Sequence, residues 1–179
     1  MTQRSITIVG AGQSGLQLGL GLLQNGYAVR IISDRTPEQI RSGRVASSQC
    51  MFAQALEFER SVGVDMFDDC PPVEGIGLTV PHPELPGEMA FSWAGKLDSP
   101  AYAVDQRIKF PALMDLFTKR GGEIVYEEAT IDSLERYTLE SELVIVAAGK
   151  GEIARAFERD AERSTYDAPQ RALALTGSP

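Results

Sequence analysis

Ile6-Thr7-Ile8-Val9-Gly10-Ala11-Gly12-Gln13-Ser14-Gly15, an apolar stretch to Gln24, and then Val29-Arg30-Ile31-Ile32-Ser33-Asp34-Arg35 decide the fold of this chain. The order is strand, glycine turn, helix, strand, as a dinucleotide-binding βαβ unit requires. A lone G-x-G-x-x-G says little. Here it follows an apolar strand pattern and opens a helical one. Gly10 permits the tight turn out of the strand, Gly12 lets a pyrophosphate approach the backbone, and Gly15 lets the helix pack on the sheet. The helix N-terminus then offers unpaired N–H groups and partial positive charge to phosphate. The competing reading is a Rossmann-like glycine turn that binds nothing.

Working outward, residues 4–9 read as a first strand, 13–25 as a helix closed by Gly26, and 28–33 as a second strand. Gly19 and Gly21 are unfavourable inside a helix, and their use is close approach to a neighbouring element. Residues 36–46 read as a polar loop or short turn. A helix is expected from about Gln49 to Val62 with Ser47 or Ser48 as its cap. Residues 65–74 form an acidic, proline-containing loop. Gly75–Val80 and Glu88–Trp93 read as antiparallel strands around a Pro81–Gly87 turn, an insertion that departs from the βαβ rhythm. A helix from Phe110 to Lys119 starts at Pro111 and stops at Gly121-Gly122. Residues 123–127 and 142–147 are strands, the latter an apolar run suited to a buried parallel strand. It ends in Gly149-Lys150-Gly151, at the sheet edge where ligands sit in doubly wound folds. Residues 169–179 begin like a further strand.

The net charge of −8 makes nucleic acid and anionic membrane poor partners. No apolar run approaches the roughly 20 residues of a membrane span. The N-terminus enters a strand too early for a signal peptide, so a cytoplasmic location is expected. Cys50 and Cys70 lack metal spacing and are expected to be reduced and partly buried. His82 is the only histidine. It reads as a loop residue, so neither a histidine metal site nor a histidine-based triad is expected.

An acidic residue usually ends the second strand of such a unit and holds the adenosine ribose. Ser33 stands at that position and Asp34 one residue later. Either Asp34 takes the role from a shifted place, or Ser33 makes a weaker neutral hydrogen bond. Arg35 leaves a 2′-phosphorylated cofactor as an alternative.

These residues resemble the oxygenase component of styrene and indole monooxygenases, two-component FAD-dependent enzymes of the para-hydroxybenzoate hydroxylase-like fold. The resemblance covers the whole chain. It rests on Gly10-Ala-Gly12-Gln-Ser-Gly15-Leu, Ser33-Asp34-Arg35-x-Pro37, Ala103-Val104-Asp105-x-Arg107, Arg120-Gly-Gly122, Val144–Gly149-Lys150 and Pro169-Gln-Arg-Ala-Leu173. It implies an α/β fold: a Rossmann-like FAD-binding βαβ domain over residues 1–179, with a small antiparallel strand insertion at about 75–105, truncated relative to the family. It implies that reduced FAD comes from a separate NADH-dependent flavin reductase and that O2 supplies one oxygen atom to a small aromatic alkene. The cofactor-binding residues it implies are Gly10, Gly12, Ser14, Gly15, Ser33, Asp34, Arg35, Arg44, Arg107, Ala148 and Gly149.

Ser47 and Ser48 are the implied catalytic positions, at a helix start near the flavin. Substrate subgroups differ at positions matching Ser47, Gln49, Met51, Ile76 and Ala101. The styrene type has Asn, Val, His, Tyr and Ser there, whereas the indole type has Ser, Gln, Met, Val or Ile, and Ala. This chain carries the indole pattern, although Thr79 matches neither type. Read without the resemblance, Ser47 and Ser48 cap a helix, Met51 is core and Arg107 is a solvated arginine. Family members are more than twice this length, and their later part holds a second FAD motif and most of the substrate sheet. Two further readings stand beside the monooxygenase: a non-catalytic dinucleotide-binding module, and an NAD(P)-dependent oxidoreductase, which the insertion at 75–93 disfavours. An unfinished sheet edge also predicts a homodimer or other self-association.

Overall fold

The computed structural model describes residues 3–46, 49–67, 69–149, 153–156 and 158–166. In chain order its elements are β1 (Ser5–Val9), α1 (Gln13–Gln24), β2 (Ala28–Ser33), α2 (Pro37–Arg41), β3 (Gln49–Met51), α3 (Ala53–Ser61), β4 (Pro72–Pro81), β5 (Met89–Val104), α4 (Gln106–Lys119), β6 (Glu123–Tyr126), α5 (Ile131–Glu140), β7 (Leu143–Val146) and a 3-10 turn (Ile153–Ala156). Two compact units divide them: Met1–Gly43 with Phe110–Pro179, and Arg44–Lys109.

The first unit is built on a parallel sheet of order β6-β2-β1-β7. Apolar residues on β1 and β2 (Ile6, Ile8, Val29, Ile31) are buried, with Leu16 and Leu20 of α1 and Leu113, Met114 and Phe117 of α4. The close approach expected of a mid-helix glycine is found at Gly19. A Cβ there would lie 2.9 Å from the Phe117 ring and 3.0 Å from Ile31 Cδ1. Thr7, fully buried on β1, is satisfied by Ser141 Oγ at 2.6 Å and by the Arg30 guanidinium.

The second unit carries the antiparallel sheet β3-β5-β4. Behind it, Lys109 Nζ and Glu59 Oε1 form an ion pair of 2.6 Å with both side chains buried, joining α3 to the first turn of α4. Such a pair stabilises little over an apolar substitute, yet losing one partner strands a charge.

Several local expectations are corrected. Residues 37–41 form a helix, because Thr36 and Gln39 make a capping box around Pro37 and Ile40 is buried. The helix expected from Gln49 starts at Ala53 behind Phe52, which gives no side-chain cap. Gln49–Met51 is instead a strand on β5, where ladder pairing overrides helical patterning. Ser47 and Ser48 lie outside the described residues, as does 169–179. Pro111 sits inside α4, which begins at Gln106. Asp105 Oδ1 accepts the Arg107 backbone N–H at 2.8 Å, satisfying one donor of its first turn. β4 and β5 are antiparallel, as read, but extend over Pro72–Pro81 and Met89–Val104. α5 is not anticipated by the sequence reading. Cys50 is exposed on the short strand β3 rather than partly buried, and Cys70 is half-buried.

Candidate functional site

A cleft of about 370 Å³ opens in the first unit, at the carboxyl ends of its parallel strands. Its walls are Gly10–Gly12 after β1, Ser33–Arg35 after β2, Glu127–Ala129 after β6 and Ala147–Gly149 after β7. Gly10 N–H donates to Ile32 C=O at 2.9 Å, and Ala147 N–H to Val9 C=O at 2.8 Å, so the three strand ends are tied together.

The glycines divide the labour by space. A Cβ on Gly15 would stand 1.9 Å from the Gly10 carbonyl oxygen, so α1 reaches the turn only with hydrogen at that position. A Cβ on Gly12 would meet nothing within 4 Å, so its absence leaves open space at the cleft. Gly12 is also the N-cap of α1. It offers no side-chain acceptor, and the first turn carries no acidic residue. The positive end of the helix is therefore left for an anion at the cleft.

At the end of β2, Ser33 is buried and its hydroxyl is engaged locally. It donates to the Arg35 C=O at 2.7 Å and accepts the Arg35 N–H at 3.3 Å. Asp34 and Arg35 stand exposed and lie 3.7 Å apart, an ion pair that water screens. Glu127, which the sequence reading does not single out, is a carboxylate of the cleft wall held by hydrogen bonds from two side chains. Its N–H donates to Ser33 C=O at 3.0 Å, and its Oε1 accepts from Tyr137 Oη at 2.5 Å and Arg136 Nη2 at 2.8 Å. The Tyr137 hydroxyl, and then the Arg136 guanidinium, hold its carboxyl below the ordinary glutamate range. Burial, and then Glu127, push the Tyr137 phenol upward.

Of the residues singled out for cofactor binding, the cleft brings together Gly10, Gly12, Ser33, Asp34, Arg35, Ala148 and Gly149. Gly15 lies buried behind the turn, and Ser14 is exposed on the first turn of α1. Arg44 and Arg107 belong to the second unit. There Arg107 grips Asp105 through Nε and Nη2, at 3.1 and 2.7 Å to Oδ2. The Arg107 hydrogen bonds hold the Asp105 carboxyl below its usual range.

The candidate substrate residues also lie in the second unit and do not form one cluster. Met51 pairs with Tyr102 and lines a small cavity with Phe67 and Val104. Ala101, fully buried, neighbours Tyr102 on β5 and so faces the opposite side of the sheet. Gln49 is exposed opposite Val104. Ile76 is exposed opposite Gly95, roughly 20 Å along the strand from Ala101 at 3.3 Å per residue. Among the described residues no group of three or more His, Cys, Asp or Glu is placed to hold a metal ion. No described helix is long and apolar enough to cross a membrane.

Residues 149–178 match the family model of the styrene monooxygenase A putative substrate binding domain. Styrene monooxygenase StyA of Pseudomonas fluorescens is 31% identical over 173 residues, covering 97% of this chain and 41% of the relative. A second StyA, from Pseudomonas sp, is 32% identical with the same coverage. The chain thus spans 41% of the length of these curated relatives. The similarity to styrene monooxygenases read from the motifs is borne out. Among solved structures, the flavin-dependent brominase Bmp2 superposes with a TM-score of 0.56 at 16% identity, covering 72% of this chain and 30% of its own. At that identity it bears out the Rossmann-like α/β fold and nothing finer.

Proposed function

We propose that this chain is the FAD-binding portion of a two-component flavoprotein monooxygenase that epoxidises indole or a related aromatic alkene. The observation that carries the reading is the cleft itself: an open backbone at Gly12, an uncapped helix N-terminus, and hydroxyl acceptors at the ends of β2 and β6. Its volume suits the adenosine and pyrophosphate end of a dinucleotide. Those donors and acceptors fit that end of FAD, with Gly10–Gly12 against the pyrophosphate and the ends of β2 and β6 at the ribose. When bound, the flavin supplies the electrons that activate O2. The residues of this chain bind and orient it. The similarity to styrene monooxygenases supports delivery of reduced FAD by a separate NADH-dependent reductase. The residue types at Ser47, Gln49, Met51, Ile76 and Ala101 support the indole-type substrate, with Gln49 as partner for an indole N–H that styrene lacks.

An anaerobic titration with reduced FAD beside oxidised FAD tests this reading, followed by admission of air and indole. Tighter binding of the reduced form, with indigo on aeration, is expected of a competent oxygenase. Equal, weak binding of both forms and no product would overturn the monooxygenase reading for the chain alone. The second reading, a non-catalytic dinucleotide-binding module, would then stand. Gln49→Val, assayed in a product-forming preparation, is expected to cost indole turnover more than styrene turnover. Equal losses would remove Gln49 from the substrate site.

A further inference from the structure

The end of β2 lacks the carboxylate that usually holds an adenosine ribose, and Ser33 does not replace it, because its hydroxyl is already donated to the Arg35 carbonyl at 2.7 Å. The neighbouring strand brings a carboxylate to the same place. β6 pairs Tyr126 with Ser33, and the next residue, Glu127, is tied to the Ser33 carbonyl through its own N–H at 3.0 Å. One carboxylate oxygen is fixed by Tyr137 and Arg136, while Oε2 accepts no hydrogen bond among the described residues. Tyr137 is itself immobilised, 1% exposed and packed with Val9, Ile32 and Ile153. Arg136 and Arg30 flank its ring, with guanidinium carbons 5.1 and 5.9 Å from the ring centre. The outcome is a rigid, charged acceptor lining the cleft, with one oxygen left for a ligand donor.

We propose that Glu127 is the hydroxyl acceptor for the adenosine ribose in this cleft, taking the place of the carboxylate that the end of β2 lacks. The assignment rests on the dinucleotide-binding reading above and narrows it. With Asp34 and Glu128 also on the cleft wall, a ligand with a free ribose diol is favoured over one carrying a 2′-phosphate. Asp34 is the rival acceptor, but its side chain is 70% exposed and faces the Arg35 guanidinium at 3.7 Å.

The test measures displacement of FAD from the full chain by ADP and by 2′,3′-dideoxy-ADP. In the wild-type protein the dideoxy compound is expected to bind roughly tenfold more weakly or worse, as loss of a hydrogen bond to a charged acceptor implies. Glu127→Ala and Glu127→Gln are expected to bind the two compounds alike, with melting temperatures showing that both variants are folded. Asp34→Asn is expected to keep the discrimination. Discrimination that survives both Glu127 substitutions, or that Asp34→Asn alone removes, would overturn the assignment. Equal binding by the wild-type protein would also overturn it and leave the dinucleotide reading standing. Failure to bind FAD or ADP at all would overturn that reading, and the assignment with it.

Discussion

Gly12 and Gly15 sit three residues apart in one motif, yet the structure asks opposite things of them. Gly15→Ala would drive a methyl group to 1.9 Å from the Gly10 carbonyl, so the helix or the turn must move. The expected cost is about 2 kcal/mol or more, in the range of overpacked sites, seen as a lowered midpoint in urea denaturation. Gly12→Ala meets no atom within 4 Å, and its cap position at φ −87° suits alanine. Its stability cost is at most about 1 kcal/mol, the difference between glycine and alanine at a helix cap. FAD binding, by contrast, is expected to fall at least tenfold, because the methyl group occupies the approach to the backbone. Equal losses of binding and of stability at Gly12 would show that the glycine serves the turn and not a ligand. Spacing makes these residues legible in sequence, since each need is local. Glu127 was illegible for the opposite reason: its partners at Ser33, Arg136 and Tyr137 are set by strand register and helix docking.

The βαβ opening is legible nearly to the residue because its periodicities are strong and glycines, Gly12 at the N-cap and Gly26 just past the C-cap Asn25, bound its helix. α5 is not anticipated because its capping pair is Thr130 with Ser133 rather than with Glu or Gln, although Ile131, Leu134 and Tyr137 recur at helical spacing. β3 was read as helix because three residues carry too little pattern to compete with the helix that follows. The tether between α5 and the end of β6 gives a pH-dependent expectation. The Tyr137 hydroxyl, and then Arg136, lower the folded-state pKa of Glu127 relative to the unfolded chain, with Arg30 adding a smaller pull. A lowered carboxylate contributes stability above the ordinary glutamate range, and that contribution is lost as pH falls through the lowered value. Tyr137→Phe is therefore expected to cost about 1 kcal/mol at neutral pH, a charged hydrogen bond discounted for the partial exposure of Glu127. The gap in melting temperature between wild type and variant should narrow as the pH falls below the ordinary glutamate range. A gap that stays constant over that range would mean that the phenol contributes through packing alone.

For the whole molecule, the parallel sheet and its ligand edge were legible in the sequence, but the surface for association was not. Sequence reading points to unfinished edges of the parallel sheet, whereas the structure displays a larger hazard on the β4–β5 ribbon. Its ladder sets Leu78 opposite Trp93 and Val80 opposite Phe91, so Ile76, Leu78, Phe91 and Trp93 share one face. These side chains are between 40% and 52% exposed. The opposite face carries the Thr79–Ser92 hydrogen bond. A two-stranded ribbon with one oily face gains by stacking that face on another, as sheets do about 10 Å apart, and a two-fold pairing of identical ribbons is self-complementary. The isolated chain is expected to form dimers or larger species through this face. Trp93 is the only tryptophan. Its emission should shift to the blue as sedimentation shows the monomer disappearing with concentration. Phe91→Asp should restore the monomer and the red-shifted emission, because a carboxylate in a stacked apolar face must be desolvated without a partner. Thr79→Asp, on the other face, should leave association unchanged. A wild-type chain that stays monomeric with fully solvated Trp93 would show that this face is left for other polypeptide. The greater length of its styrene monooxygenase relatives leaves room for such a cover.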